Sequence, residues 1–196
     1  MFALIFGLSF LANAQDVQKD QPKGYQFTDI KRLPATSVKD QARAGTCWSW
    51  SGISFFESEM IRMGKEPIDL SAMYIVRHAY SDKATKFVRL HGNMNFAVGG
   101  AFCDVMHVIK NYGIVPMDVY KGLNYGEPNH AFGEIDDVLA GYINAVIKNS
   151  NKKLSTAWKK GFDGILDAYL GEEPEKFEYK GKEYTPRTFA DEVVGL

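Results

Sequence analysis

Apolar residues recur at three- and four-residue spacing through most of this chain, and that pattern constrains its fold more than anything else. Trp48, Ser51-Gly52, Phe55-Phe56, Glu59-Met60 and Met63 predict a helix over 48–63, with Gly64 as its stop. Leu70-Ser71 opens a second helix to about Ala79, and a Lys-, Asn- and Gly-rich loop is expected across 81–100. Phe102, Val105-Met106 and Ile109 mark a third helix over 101–112, ended by Gly113. Ile135, Val138-Leu139, Tyr142-Ile143 and Val146-Ile147 mark another over 132–148. Trp158, Phe162, Ile165-Leu166 and Tyr169 follow in one that starts at Ser155 and stops at Gly171. Strand-like character is confined to 177–179 and 182–184, which flank Lys180-Gly181 as a hairpin turn. Thr185-Pro186 caps a last helix. The expected class is α+β, mostly α.

The 196 residues, 45% of them hydrophobic, suffice for one core, alone or with a substantial extension. A net charge of −1 with both signs interspersed argues against nucleic acid or an anionic membrane surface as partner. Residues 2–12 form an apolar run of signal-peptide length, too short to span a bilayer, and Ala12-Asn13-Ala14 supplies a cleavage pattern before Gln15. The expected address is therefore secreted or periplasmic, although no basic residue precedes the run. A buried N-terminal element and a cytoplasmic address are the alternatives. Residues 15–35 read as an extended arm. No other segment approaches transmembrane length, and no cofactor or metal motif stands out.

The chemistry concentrates in Ala44-Gly45-Thr46-Cys47-Trp48, with Gln41 six residues before the cysteine. A cysteine followed by an aromatic residue and a helical run sits at a helix N-terminus, where unpaired N–H groups and the helix dipole favour an anion. A glutamine amide just upstream suits an oxyanion, which develops only when a carbonyl is attacked. Cys47 and Gln41 are thus two parts of an acyl-transfer site. The second cysteine, Cys103, lies in an apolar helical pattern and reads as a buried free thiol. A Cys47–Cys103 disulfide is the alternative and would disarm the nucleophile. Redox chemistry is weakly supported, because no Cys-x-x-Cys pair is present.

These residues carry a resemblance. The run from Val38 through Gln41 and Cys47 to Ser51 resembles the active-site segment of papain-like cysteine peptidases, most closely their bleomycin hydrolase / aminopeptidase C branch. Asp69-Leu70-Ser71, Val98-Gly99-Gly100 and Gly113-Ile114-Val115-Pro116 follow in the family's order. The resemblance implies a papain-like helical left lobe over 36–122 and a helical insertion over 123–196, with the β-rich right lobe missing. It implies Cys47 as nucleophile, and Gln41 with the Cys47 N–H as oxyanion hole. Gly99 and Gly100 would form the backbone edge that pairs with a peptide substrate, with Trp48 packed behind the nucleophile. It also implies aminopeptidase activity and a homo-oligomer, hexameric in that branch. Ala44 and Ala97 stand where many secreted relatives carry a bridged cysteine pair, a departure that fits this largely disulfide-free branch.

A papain-like site also needs a histidine base and an asparagine that orients it, about 130–150 residues after the cysteine. From Cys47 that window opens at about residue 177 and holds neither; the last of each are His130 and Asn151. His78 and His107 fall on helices and His91 and His130 in loops, none with an orienting partner in sequence. The expectation is that this chain is the N-terminal portion of a longer peptidase, and has little activity by itself. A non-catalytic helical binding module that retains the cysteine segment by descent is the alternative.

Overall fold

Six helices and one hairpin follow each other in the computed structural model, which describes residues 24–25 and 27–195. The leader reading for 1–14 and the first part of the expected arm lie outside the described residues. The described residues from 33 onward form one compact unit. The described residues of 24–32 belong to a separate stretch with an Asp29–Arg32 ion pair at 3.1 Å. No described helix is long and apolar enough to cross a membrane.

α2 (Ala72–Arg89) is the central element. α1 (Cys47–Arg62), α3 (Phe102–Tyr112), α4 (Gly133–Ile147) and α5 (Trp158–Leu170) all pack on it. Its first nine residues, 72–80, are consequently buried on every side. The Ser71 hydroxyl caps it by accepting from the Tyr74 N–H at 3.0 Å. α2 runs ten residues beyond the predicted end at Ala79, and the expected loop begins only after Arg89. Tyr80, Ala84 and Phe87-Val88 continue the buried stripe at four- and three-residue steps. Lys83, Lys86 and Arg89 on the other faces hide it in the sequence.

α1 and α3 occupy the predicted spans, with α1 turned from its expected face. Its buried residues are Trp48, Ser49, Gly52, Ile53, Glu57 and Met60, while Phe55 and Met63 are exposed. Polar partners decide this rotation. The Ser49 hydroxyl donates to the Ala72 carbonyl at 2.7 Å. Glu57 accepts from Lys39 Nζ at 2.7 Å and from the Leu70 N–H at 2.8 Å. Gly52 allows the closest α1–α3 approach, since a Cβ there would lie 2.7 Å from the Val105 side chain.

α4 and α5 bury Ile135, Leu139, Ile143 and Phe162, Leu166, Leu170, each at four-residue steps. Arg77 of α2 ties the end of α5 inward, pairing with Asp167 at 2.7 Å and with Glu173 at 2.6 Å. β1 (Phe177–Tyr179) pairs antiparallel with β2 (Lys182–Tyr184), Phe177 opposite Tyr184. Lys180 and Gly181 both take positive φ, 50° and 78°, the signature of a type I′ hairpin turn. The last predicted helix is split: α6 (Pro186–Phe189) passes into a π-helical turn, Ala190–Val194. Phe189 packs its ring against Phe177, Tyr179 and Tyr184. This C-terminal unit closes over the end of α3, where the Ile114 N–H donates to the Pro186 carbonyl at 3.1 Å.

Candidate active site

The segment before α1 is held from two sides. The Arg43 N–H donates to the His130 carbonyl at 2.9 Å, and the Phe132 N–H donates to the Arg43 carbonyl at 3.2 Å. Asp40 accepts from the Ala42 N–H at 2.7 Å, and Ala42 takes a left-handed φ of 51°. The chain then turns through Ala44, whose N–H donates to the Gln41 carbonyl at 3.3 Å, and through Gly45 at φ 67°. A Cβ on Gly45 would lie 3.1 Å from a Val98 methyl, so the turn before Cys47 sits against the 97–100 loop.

Cys47 is the first residue of α1, and its free thiol is exposed. The Ser49 and Trp50 N–H groups both bond the Thr46 carbonyl. The Cys47 and Trp48 N–H groups make no such bond among the described residues, as expected of a helix's first turn. Gln41 lies one tight turn upstream. Its amide oxygen is buried and unpaired among the described residues.

Trp48 joins the Cys47 turn to the two glycines. Its indole Nε1 donates to the Val98 carbonyl at 3.0 Å. Gly100 lies flat on the indole, where a Cβ would come within 2.6 Å of the ring. Gly99 faces open space and is exposed. The structure therefore brings Cys47, Trp48, Gln41, Gly99 and Gly100 to the same end of α1.

The histidines do not join them. No imidazole bonds Cys47 among the described residues. His130 lies against the segment before α1, its ring 6.1 Å from that of Trp50, with Nδ1 buried and unpaired among the described residues. Burial holds its pKa below the ordinary histidine value. His107 sits on the exposed side of α3, with Nε2 3.1 Å from Asp82 and Nδ1 3.2 Å from the Asn111 amide. His91 follows α2 in a turn. Cys103 is exposed on α3, not buried, because α3 turns Val105, Val108 and Ile109 inward instead.

His78 is buried in α2, its ring stacked on Tyr112 at 4.1 Å. Its Nδ1 is 3.6 Å from Glu173, a contact that would favour the imidazolium, yet its pKa is pushed down to about 3. Burial and the adjacent Arg77 charge outweigh the carboxylate, which is already committed to Arg77 at 2.6 Å. The folded chain thus holds fewer protons at His78 than the unfolded chain between about pH 3 and 6.5. Stability from this residue is complete above pH 6.5 and lost as the pH falls towards 3. It amounts to at most about 5 kcal/mol, about 2 kcal/mol of it between pH 7 and 5. His78→Phe keeps the stacked ring and is expected to flatten urea midpoints across that interval. An unchanged slope would refute this assignment.

The description "Papain family cysteine protease" matches residues 22–159, more than half of the sequence. The chain belongs to the papain family. Its structure is similar to the crystal structure of PepW from Lactobacillus rhamnosis HN001 (DR20), with a TM-score of 0.58 and 20% identity. That similarity covers 84% of this chain and 45% of PepW, so the chain spans less than half the length of this structural relative. No curated protein matches. The mostly helical architecture with one two-stranded sheet is that of a papain-family helical lobe.

Two residues of this papain-family site escaped the sequence reading. Lys83, placed there in a loop, lies on α2 beneath Gly99. Glu57 anchors the segment that leads to Gln41. The only signal for Glu57 is a charge inside an apolar stripe.

Proposed function

We propose that this chain supplies the nucleophile half of a cysteine aminopeptidase of the bleomycin hydrolase / aminopeptidase C type. The observation that carries the reading is the Trp48 link, which sets the Gly99-Gly100 backbone beside the exposed Cys47 thiol at a helix N-terminus. An extended peptide would pair with the Gly99-Gly100 edge, the side-chain-free approach a strand requires. Cys47 sulfur then attacks the scissile carbonyl: the S–C bond forms and the oxyanion is met by Gln41 Nε2–H and the Cys47 N–H. Collapse breaks the C–N bond, the amine leaves with a proton from the base, and water hydrolyses the thioester. The base and its orienting asparagine belong, in this reading, to a β-rich lobe outside these 196 residues. The hexameric assembly and the extracytoplasmic address are part of the same proposal.

The non-catalytic alternative is favoured by one observation, the absence of any imidazole on Cys47 among the described residues. The two readings part on a version extended along its natural reading frame and assayed with unblocked and N-blocked aminoacyl amides. Hydrolysis of the unblocked substrates is expected. Cleavage of blocked peptides alone would overturn the aminopeptidase assignment. No hydrolysis, with Cys47 freely alkylated, would favour the binding module.

A further inference from the structure

The loop 97–100 has no partner strand, yet three of its consecutive carbonyls are paired. Lys83 Nζ donates to the Ala97 carbonyl at 3.2 Å and to the Gly99 carbonyl. Trp48 Nε1 takes the Val98 carbonyl between them. The ammonium also lies over the rings of Trp48 and Tyr80, 5.5 and 5.8 Å from their centroids. Lys83 is part-buried, and burial holds its pKa below the ordinary lysine value, partly offset by Asp104 and Asp136. The Gly100 carbonyl and the N–H groups of residues 97–100 make no hydrogen bond among the described residues.

From this we infer that Lys83 is a positioning residue for peptide binding, fastening the loop to Trp48 so that the Gly99-Gly100 edge faces the substrate beside Cys47. The inference rests on the peptidase reading above. The chain has no regular structure of its own here, so its backbone direction depends on what its carbonyls bond. Lys83 supplies the only cation among those partners, and hydrogen bonds from charged donors are about twice as strong as neutral ones. Lys83 does not touch the thiol. Its loss should therefore spare a reagent that needs only the sulfur and penalise one that must also dock along the loop.

The test compares labelling of Cys47 in this chain by iodoacetamide and by a dipeptidyl chloromethyl ketone with a free amino terminus. In the unmodified protein the peptidyl reagent is expected to react faster than its chloroketone chemistry alone explains. Lys83→Met should cut that advantage by up to about 100-fold, the scale of an ångström-level misplacement, with the iodoacetamide rate unchanged. Lys83→Arg, which keeps a cationic donor able to reach two carbonyls, should restore most of it. An advantage intact in Lys83→Met overturns the inference. So does a parallel loss of iodoacetamide reactivity and thermal stability, which marks a purely structural lysine. Absence of any peptidyl advantage in the unmodified protein counts against the peptidase reading instead. Amide exchange across 97–101 then decides for Lys83: faster exchange in Lys83→Met upholds the fastening, and unchanged exchange overturns it.

Discussion

If Cys47 is the nucleophile as proposed, Cys47→Ala is expected to abolish labelling by peptidyl chloroketones and to lower amide hydrolysis by the extended version by about 10⁴-fold or more, the loss that follows removal of a nucleophile acting in a unit. The fold should not notice. The thiol is exposed, it bonds nothing among the described residues, and the helix it begins is held by Trp48, Ser49 and Ile53 deeper in. A surface change of this kind shifts stability by no more than about 0.5 kcal/mol. Gln41→Ala should separate from it. Iodoacetamide labelling of Cys47 persists, whereas turnover falls by about 10²- to 10³-fold, because an oxyanion donor acts only once the carbonyl has been attacked. Cys103→Ala is the control, since that thiol lies exposed on α3 and bonds nothing among the described residues, and labelling of Cys47 should be unaffected. Intact-mass labelling and fluorogenic aminoacyl amides measure all three. Turnover surviving in Cys47→Ala would end the assignment of the nucleophile.

The turn that carries Cys47 was legible because its residues are contiguous: Gln41, the Gly45 turn, Cys47 and the indole of Trp48 span eight residues. Helices α1, α3, α4 and α5 and the hairpin were legible because their burial stripes are periodic. α2 was legible only as far as Ala79, since its second half interleaves the buried Ala84, Phe87 and Val88 with lysines that read as a loop. The α1 face was misjudged for a related reason. Ser49 and Glu57 are buried by partners on other segments, Ala72, Leu70 and Lys39, and a moment of hydrophobicity cannot see those. Lys83 is the same case at the site: its role exists only once α2 is known to pass beneath the glycine loop. The exposed Cys103 shows the converse, an apolar residue displaced from the core by better-placed valines and isoleucine.

Glu57→Ala should cost about 3–5 kcal/mol, more than any exposed charge in the chain, because it breaks a buried ion pair from one side. The Glu57 side chain has no exposure, and that of Lys39 only 16%. Alanine would leave the ammonium with Asp69, a half-exposed carboxylate at 2.8 Å, and the Thr36 hydroxyl at 3.2 Å, and the buried Leu70 N–H without an acceptor. The Thr36 hydroxyl, which donates to Glu57, would keep only its contact with the Lys39 ammonium. Glu57→Gln should cost less, since its amide oxygen still accepts from Leu70 while the charge is gone. Lys39→Met with Glu57→Leu should recover part of the loss, as apolar replacement of both partners often does. The consequence reaches the site through the chain. Glu57 fastens 36–39 to α1 and to the start of α2, and Gln41 follows two residues later. Glu57→Gln should therefore slow hydrolysis more than iodoacetamide labelling, the pattern of a misplaced oxyanion donor. Urea unfolding gives the stability change and paired labelling the second. A Glu57→Ala protein as stable as the parent would show that the pair contributes nothing, and that the approach to Gln41 is held elsewhere.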